Sequence, residues 1–234
     1  MKNKILKIGI PSKGRLKDSS LSLFKKNKIN IKSSKRSYIS KIQNFKNNEV
    51  IFLHAREIIE RLSDGSLDIG ISGLDLLNES LPGVKKNIKI YKHLNFGFAK
   101  LVVAIPKDWI DVQTIADLEE ISFNFKEKNS SKLRIASKYP NLSNSFLISK
   151  GVTQYKIVNS LGATEIYPFT NQSEIITDIT SSGATLKANK LRILKDGLIL
   201  KSSACIMVSK KSLREKEKKK KLSIFLKKLK KKDW

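Results

Sequence analysis

The sequence predicts an α/β fold in two domains, and three observations carry that expectation. Short strands rich in β-branched residues alternate with helical stretches along most of the chain, which is the pattern of parallel strands joined by helical crossovers. Small-residue turns repeatedly follow a strand and precede a helix, as in PSKGRL (11–16), ISGL (71–74) and SSGAT (181–185). The apolar run at 101–106, entered through LNFGFAK, reads as a crossover into a second domain. The expected division is 1–95 with 191–234 for the first domain and 96–190 for the second.

The elements follow in order. Residues 5–10 (ILKIGI) form a buried first strand, broken by Pro11 and the basic turn Lys13-Gly14-Arg15, with a helix over 16–26 whose Leu21 and Phe24 share one face. A strand at 50–55 leads to a helix at 56–64 that carries Ile58, Ile59 and Leu62 on one side and stops at Gly65. Residues 68–73 make a short strand, and 74–78 a helix. In the second domain a helix is expected at 111–118, a strand at 133–137, a helix at 141–150 closed by Gly151, and strands at 154–161 and 174–179. Residues 191–208 read as two strands around the turn Lys195-Asp196-Gly197, returning to the first domain. From Ser209 onward a lysine-rich helix keeps Leu222, Phe225, Leu226 and Leu229 on one face, with a frayed end.

Bulk properties bound the function. A chain of 234 residues with 40% hydrophobic content is enough for real cores. There is no apolar run of membrane-spanning length and no signal-peptide pattern, so a cytoplasmic protein is expected. The single cysteine, Cys205, excludes an internal disulfide and lies in an apolar run that marks it as buried filler. His54 and His93 lack ligand-type partners, so packing or surface roles are expected of them. A net charge of +26 invites nucleic acid, yet the lysines are spread along the chain without aromatic base-stacking motifs, so no specific nucleic-acid target is expected. Such charge equally steers small polyanions. The basic C-terminal helix is read as a solvated surface helix, with membrane or nucleic-acid docking as the alternative.

The chemistry concentrates in GATEIYPFTNQSEIITDITSSGATLKANKL (162–191). A strand ending at Asp178 and Ile179 runs into Ser181-Ser182-Gly183-Ala184-Thr185 and then a helix, so unpaired helix-start amides, a glycine and three hydroxyls converge where a phosphate can sit. Taken alone, such a cluster also marks an ordinary turn or cap. Asp178, with Glu165 in the preceding turn, adds two carboxylates able to accept hydrogen bonds from a diol, and phosphate plus diol describes a phosphorylated sugar. The Lys13-Gly14-Arg15 turn is a second anion site at a strand's C-terminal edge, or a connecting loop with solvated cations.

Taken as an ordered set, IPSKGRL (10–16), AREI (55–58), DGSLDIGISGLDLL (64–77), KLVVAIPKDW (100–109), LRIASKYPNL (133–142), GATEIYP (162–168) and DITSSGATLKAN (178–189) resemble segments of the ATP phosphoribosyltransferase family. The resemblance implies a two-domain fold like type II periplasmic binding proteins with the active site in the interdomain cleft. It also implies transfer of the phosphoribosyl group of phosphoribosyl diphosphate to N1 of ATP, with Mg2+ carried on the substrates rather than in a protein cage. By that resemblance residues 181–185 hold the 5-phosphate and Glu165 and Asp178 the ribose hydroxyls. Lys13, Arg15 and Arg56 are expected to be catalytic, with Gly14, Ser72, Gly73 and Lys100 on the nucleotide and pyrophosphate side. The length resembles the family's short form, which implies a regulatory subunit similar to histidyl-tRNA synthetase and a hetero-octamer. Three departures stand out: Ser182 where the family commonly has Thr, Ala99 where it often has Cys, and Lys190 where it commonly has Gly. A solute-binding protein of the same fold and a basic nucleic-acid binder are the rival readings.

Overall fold

The computed structural model describes residues 5–32, 38–43, 45 and 47–229. The chain divides into two compact units, Met1–Gly97 with Ser203–Trp234 and Phe98–Ser202. Each is built around one sheet.

In the first unit the elements are β1 (Leu6–Pro11), α1 (Gly14–Lys26), β2 (Ile31–Lys32), β3 (Ile39–Ile42), β4 (Asn48–Leu53), α2 (Ala55–Asp64), β5 (Ile69–Gly73), α3 (Leu74–Glu79), α4 (Pro82–Lys85) and β6 (Ile88–His93). The second unit contributes β7 (Ala99–Pro106), α5 (Ile115–Asn129), β8 (Leu133–Ser137), α6 (Pro140–Ser149), β9 (Tyr155–Asn159), a 3-10 helix (Thr164–Phe169), β10 (Ile175–Thr180), α7 (Ala184–Ala188) and β11 (Leu191–Ser202). The chain then returns with β12 (Ala204–Ser209), α8 (Lys210–Arg214) and α9 (Lys216–Leu229).

The first sheet has the order β2-β3-β4-β1-β5-β12-β6. Its centre is parallel, β4 and β5 flanking β1, whereas β12 runs antiparallel to both β5 and β6, so the sheet is mixed. Alternate residues of β1 go to opposite faces. Leu6, Ile8 and Ile10 join Leu23 and Phe24 of α1 and Leu222, Phe225, Leu226 and Leu229 of α9 in one core. Gly9 and Gly70 turn to the other face, beneath α2. A Cβ at Gly70 would lie 2.4 Å from Ile58 Cγ2, so α2 packs this close only because glycine leaves the space. Ile58, Ile59 and Leu62 fill that second core together with Cys205 and Met207.

The C-terminal helix is therefore structural on its apolar face. Asp68, almost wholly buried, accepts Lys7 N–H at 2.8 Å and the Ser212 hydroxyl at 2.6 Å, and it pairs with Lys218 Nζ at 2.8 Å. A buried carboxylate needs this full complement of donors, and the donors come from β1, α8 and α9. The frayed end expected beyond Leu229 lies outside the described residues. Among the described residues, no helix is long and apolar enough to cross a membrane.

The second sheet has the order β11-β7-β10-β8-β9. β10 is central, antiparallel to β7 and parallel to β8. Ile175 faces the core formed with α5 and α6, and Ile176 faces the smaller core with Leu186 of α7 and Tyr167 of the 3-10 helix. At the start of the two strands Arg134 and Glu174 form an ion pair at 2.6 Å, and Arg134 N–H donates to the same carboxylate, which sets the β8–β10 register.

Three expectations are corrected here. Residues 191–202 do not return to the first unit; β11 pairs with β7 from Leu191↔Pro106 to Ser202↔Ala99 and completes the second sheet. Nor is Lys195-Asp196-Gly197 a hairpin turn. It is a bulge within β11, where Ile193 to Leu198 spans only Ala104 to Val102 on β7. The bulge turns Asp196 onto α5, where its carboxylate accepts Ile115 N–H at 2.9 Å and so caps that helix. Local turn chemistry at Asp-Gly is satisfied by a tertiary cap. The helix expected at 111–118 begins later and runs further, because Thr114 and Asp117 make a capping box at its start. Three backbone and side-chain donors on Asp117, the Gln113 N–H foremost, hold its carboxyl below the usual range.

Candidate functional site

The second unit carries a small-residue loop and a charged cluster at the C-terminal ends of β8 and β10. Successive residues of β10 alternate faces, so Asp178 lies on the same side as Ile176, together with α7 and the 3-10 helix. That 3-10 helix, anchored by the buried Thr164 hydroxyl 2.9 Å from Ser160 Oγ, presents Glu165. Burial, foremost, raises the Asp178 pKa and the Glu165 charge adds to the rise, while the Ile179 N–H and the Lys138 ammonium oppose it.

Lys138 was not among the residues singled out from the sequence. It follows β8 directly, one residue past the last registered pair Ser137–Thr177, just as Asp178 follows Thr177 on β10, and its charge acts on Asp178. Only the strand pairing reveals the neighbour; the two lie forty positions apart in the chain.

Downstream of Asp178, Gly183 takes φ +78°, a left-handed conformation that other residues adopt only with strain, and a Cβ there would point into open space. The Thr180 hydroxyl accepts Gly183 N–H at 2.9 Å and Ser182 Oγ accepts Ala184 N–H at 3.3 Å. The loop thus orders itself with its own hydroxyls. The longer bond to Ala184 is the easier one to exchange for a phosphate oxygen. Ser181, Ser182, Ala184 and Thr185 are all exposed. Lys100, also exposed, stands opposite Thr180 on β7, so it flanks this loop. Directly opposed residues share a face, which puts its ammonium on the Asp178 side of the sheet.

The remaining expected residues lie in the first unit, where β4, β1 and β5 are parallel and end at one edge. Lys13, Gly14 and Arg15 follow β1, Arg56 is in the first turn of α2 after β4, and Ser72 and Gly73 close β5. Lys13, Arg15 and Arg56 are exposed. This carboxyl edge is where open α/β sheets bind ligands. Ser72 differs from its neighbours: it is fully buried, and its hydroxyl donates to Ala55 O at 2.8 Å, a strut between β5 and α2. A Cβ on Gly73 would collide with Asp75 Oδ1 at 2.3 Å, so the glycine there admits the Asp75 carboxylate.

Two further sequence expectations concern a cysteine and a histidine. Cys205 is buried, 3.3 Å from His93 Nδ1, and burial pushes its thiol up to about 11. His54 precedes the first residue of α2. Among the described residues, no three His, Cys, Asp or Glu side chains gather where they could hold a metal ion.

Comparison with known proteins bears on what these edges do. The HisG family model, described as ATP phosphoribosyltransferase, matches residues 54–231. An ATP phosphoribosyltransferase of Chelativorans sp. (strain BNC1) is 44% identical over 207 residues, spanning 87% of this chain and 90% of that protein. Among solved structures, an ATP phosphoribosyl transferase (HisG:HisZ) complex from Thermotoga maritima superposes with a TM-score of 0.74 at 28% identity, covering 96% of each chain. A probable amino-acid ABC transporter extracellular-binding protein, YtmK of Bacillus subtilis, superposes with a TM-score of 0.52 at 13% identity over 98% of this chain and 96% of that one, a likeness of fold alone. The fold is type II periplasmic-binding-protein-like.

Proposed function

The chain belongs to the ATP phosphoribosyltransferase family, whose members are pentosyltransferases at the first step of histidine biosynthesis, and from that premise we propose the following chemistry for it. N1 of the ATP adenine attacks C1 of phosphoribosyl diphosphate, the C1–O bond to pyrophosphate breaks with its electron pair leaving on oxygen, and 1-(5-phosphoribosyl)-ATP is formed. The observation that supports this most is the strand end itself: Asp178 and Glu165 beside a strand that runs straight into the left-handed Gly183 turn. It is the arrangement a ribose 5-phosphate needs.

The loop 181–185 binds the 5-phosphate through hydroxyls and exposed amides. Glu165 and Asp178 accept hydrogen bonds from the ribose hydroxyls and hold C1 in line with the incoming base. Displacement at the anomeric carbon builds positive charge on the ribose, which the two carboxylates stabilise, and negative charge on the departing pyrophosphate. Lys13, Arg15 and Arg56 are assigned to that pyrophosphate and to ATP phosphates, with Gly14 and Gly73 giving close backbone approach and Lys100 adding charge at the 5-phosphate loop. Magnesium carried on the substrates would supply further charge neutralisation; no protein cage is invoked. Most of the rate then comes from aligning two anionic substrates.

We further propose a separate regulatory subunit resembling histidyl-tRNA synthetase, in a hetero-octamer. What supports it is the likeness to the Thermotoga maritima chain, which was solved as a HisG:HisZ complex. The test mixes the purified chain with ATP, phosphoribosyl diphosphate and Mg2+, with and without such a subunit, and follows the absorbance rise of phosphoribosyl-ATP. Product in either mixture supports the transferase, and a requirement for the subunit supports the assembly. Folded protein with a competent partner and no product would sink the reading.

A further inference from the structure

On the face of the second sheet opposite the charged cluster, three hydroxyls meet among apolar side chains. Thr177 Oγ1 lies 2.6 Å from both Ser137 Oγ and Ser143 Oγ, which are themselves 3.1 Å apart. All three residues are fully buried. Ser137 Oγ also accepts Tyr139 N–H at 2.9 Å, and Ser143 Oγ donates to Tyr139 O at 2.7 Å.

Packing does not call for hydroxyls here. The surrounding core is Ile135, Ile175, Leu147 and Val103, where a valine or alanine would bury without any polar group to satisfy. The three hydroxyls satisfy one another, and their remaining bonds go to both backbone ends of Tyr139. The outcome is a single geometry for the turn 137–139, which a fully satisfied buried network specifies better than apolar contact does. The residue in the middle of that turn is Lys138.

We propose that Lys138 is a further substrate-contacting residue of the phosphoribosyl site, and that Ser137, Ser143 and Thr177 are the positioning residues that hold its turn beside Asp178. This rests on the phosphoribosyl-binding reading of the same strand ends. Lys138 is half-buried, in the turn that leaves β8 one residue past the Ser137–Thr177 pair, with its charge acting on Asp178. Asp178 also meets the charge of Glu165 from the 3-10 helix, and Lys100 lies one strand further, opposite Thr180. Lys138 and Glu165 act on Asp178 with opposite sign, the ammonium favouring its ionised form. With substrate bound, the Lys138 ammonium reaches phosphoribosyl diphosphate oxygens that the two acids cannot attract. The hydroxyls act only through the turn.

The test is a double-mutant cycle read by calorimetric affinity for phosphoribosyl diphosphate, which does not require turnover. Lys138→Met and Thr177→Val should each weaken binding about tenfold, the scale of one charge-assisted hydrogen bond. Thr177→Ser, which keeps the hydroxyl, should restore it. In the double variant Thr177→Val should add less than about twofold, because its effect runs through Lys138. The acid limb of the binding profile should move to higher pH in Lys138→Met, since Asp178 loses the cation that favours its ionised form. If Thr177→Val does not fold, Ser143→Ala takes its place in the cycle. Wild-type affinity in Lys138→Met, or additive losses in the double variant, would overturn the inference while leaving the transferase reading intact. A wild-type protein that does not bind phosphoribosyl diphosphate would overturn both.

Discussion

Asp178→Asn separates what this residue does for the fold from what it does for substrate. In the wild type one carboxylate oxygen accepts the Ile179 N–H, and the group faces the Lys138 and Glu165 charges. Asparagine keeps an acceptor for Ile179 with almost the same shape, yet it loses the negative charge toward the ribose hydroxyls and turns N–H donors toward a lysine. A hydrogen bond to a charged group contributes about 1.5–3 kcal/mol, and each 1.4 kcal/mol is a factor of ten. The expected loss in kcat/KM for phosphoribosyl diphosphate is therefore roughly 10-fold to 150-fold. Stability should move the other way. The folded pKa of Asp178 is raised, so the folded state binds this proton more tightly than the unfolded chain, and its stability falls as pH rises from the ordinary carboxylate range through the folded value. At neutral pH the wild type carries the full cost of a buried charge, which asparagine removes. Thermal unfolding at pH 7 should give a higher Tm for Asp178→Asn, and the gap should close in acid. Wild-type kcat/KM, or a Tm lowered at pH 7, would refute the placement of this carboxylate.

Four other outcomes follow from the same geometry. Glu165→Gln removes the charge that raises Asp178, so the acid limb of phosphoribosyl diphosphate binding should shift to lower pH; a shift upward would mean that the two groups do not face each other. Gly183→Val forces a β-branched residue into φ +78°, which should lower stability by about 1–2 kcal/mol in denaturant titration and weaken phosphoribosyl diphosphate at least tenfold, and unchanged affinity would move the 5-phosphate elsewhere. Lys190, where the family resemblance places a glycine, sits at φ +53° after α7; Lys190→Gly should raise stability by about 0.5–1 kcal/mol, and a destabilised variant would show that the lysine side chain contributes more than its backbone strain costs. Cys205, with its thiol pushed up to about 11, should resist alkylation at pH 8 in the folded protein and react on unfolding, and rapid native labelling would contradict its burial.

The chain's local chemistry was legible before folding was considered. Hydrophobic periodicity located the strands at 133–137 and 174–179 to within a residue or two, because a fully buried strand leaves a continuous apolar run whatever lies beside it. The small-residue turn around Gly183 followed from residue type, whereas its left-handed φ of +78° came only with the structure. The same logic found the apolar face of the C-terminal helix, Leu222, Phe225, Leu226 and Leu229, all of which are buried. What local patterning could not supply is adjacency across the sheet. Asp196-Gly197 has the chemistry of a hairpin turn, and only the pairing of β11 with β7 on both sides of it, together with the Asp196 cap on α5, makes it a bulge and keeps residues 191–202 in the second unit. The sequence places Ser72 at the end of a strand entering a small-residue turn, and only the seating of α2 against β5 buries it as a donor to Ala55. Lys138 carries no distinguishing signal among 47 lysines and arginines. The sequence alone located β8, β10, the loop 181–185 that follows β10 and the acids Glu165 and Asp178 near it, because those depend on residues close in the chain. The tertiary structure alone decided which charge stands beside Asp178, because that depends on the parallel register of β8 and β10, where Ser137 meets Thr177.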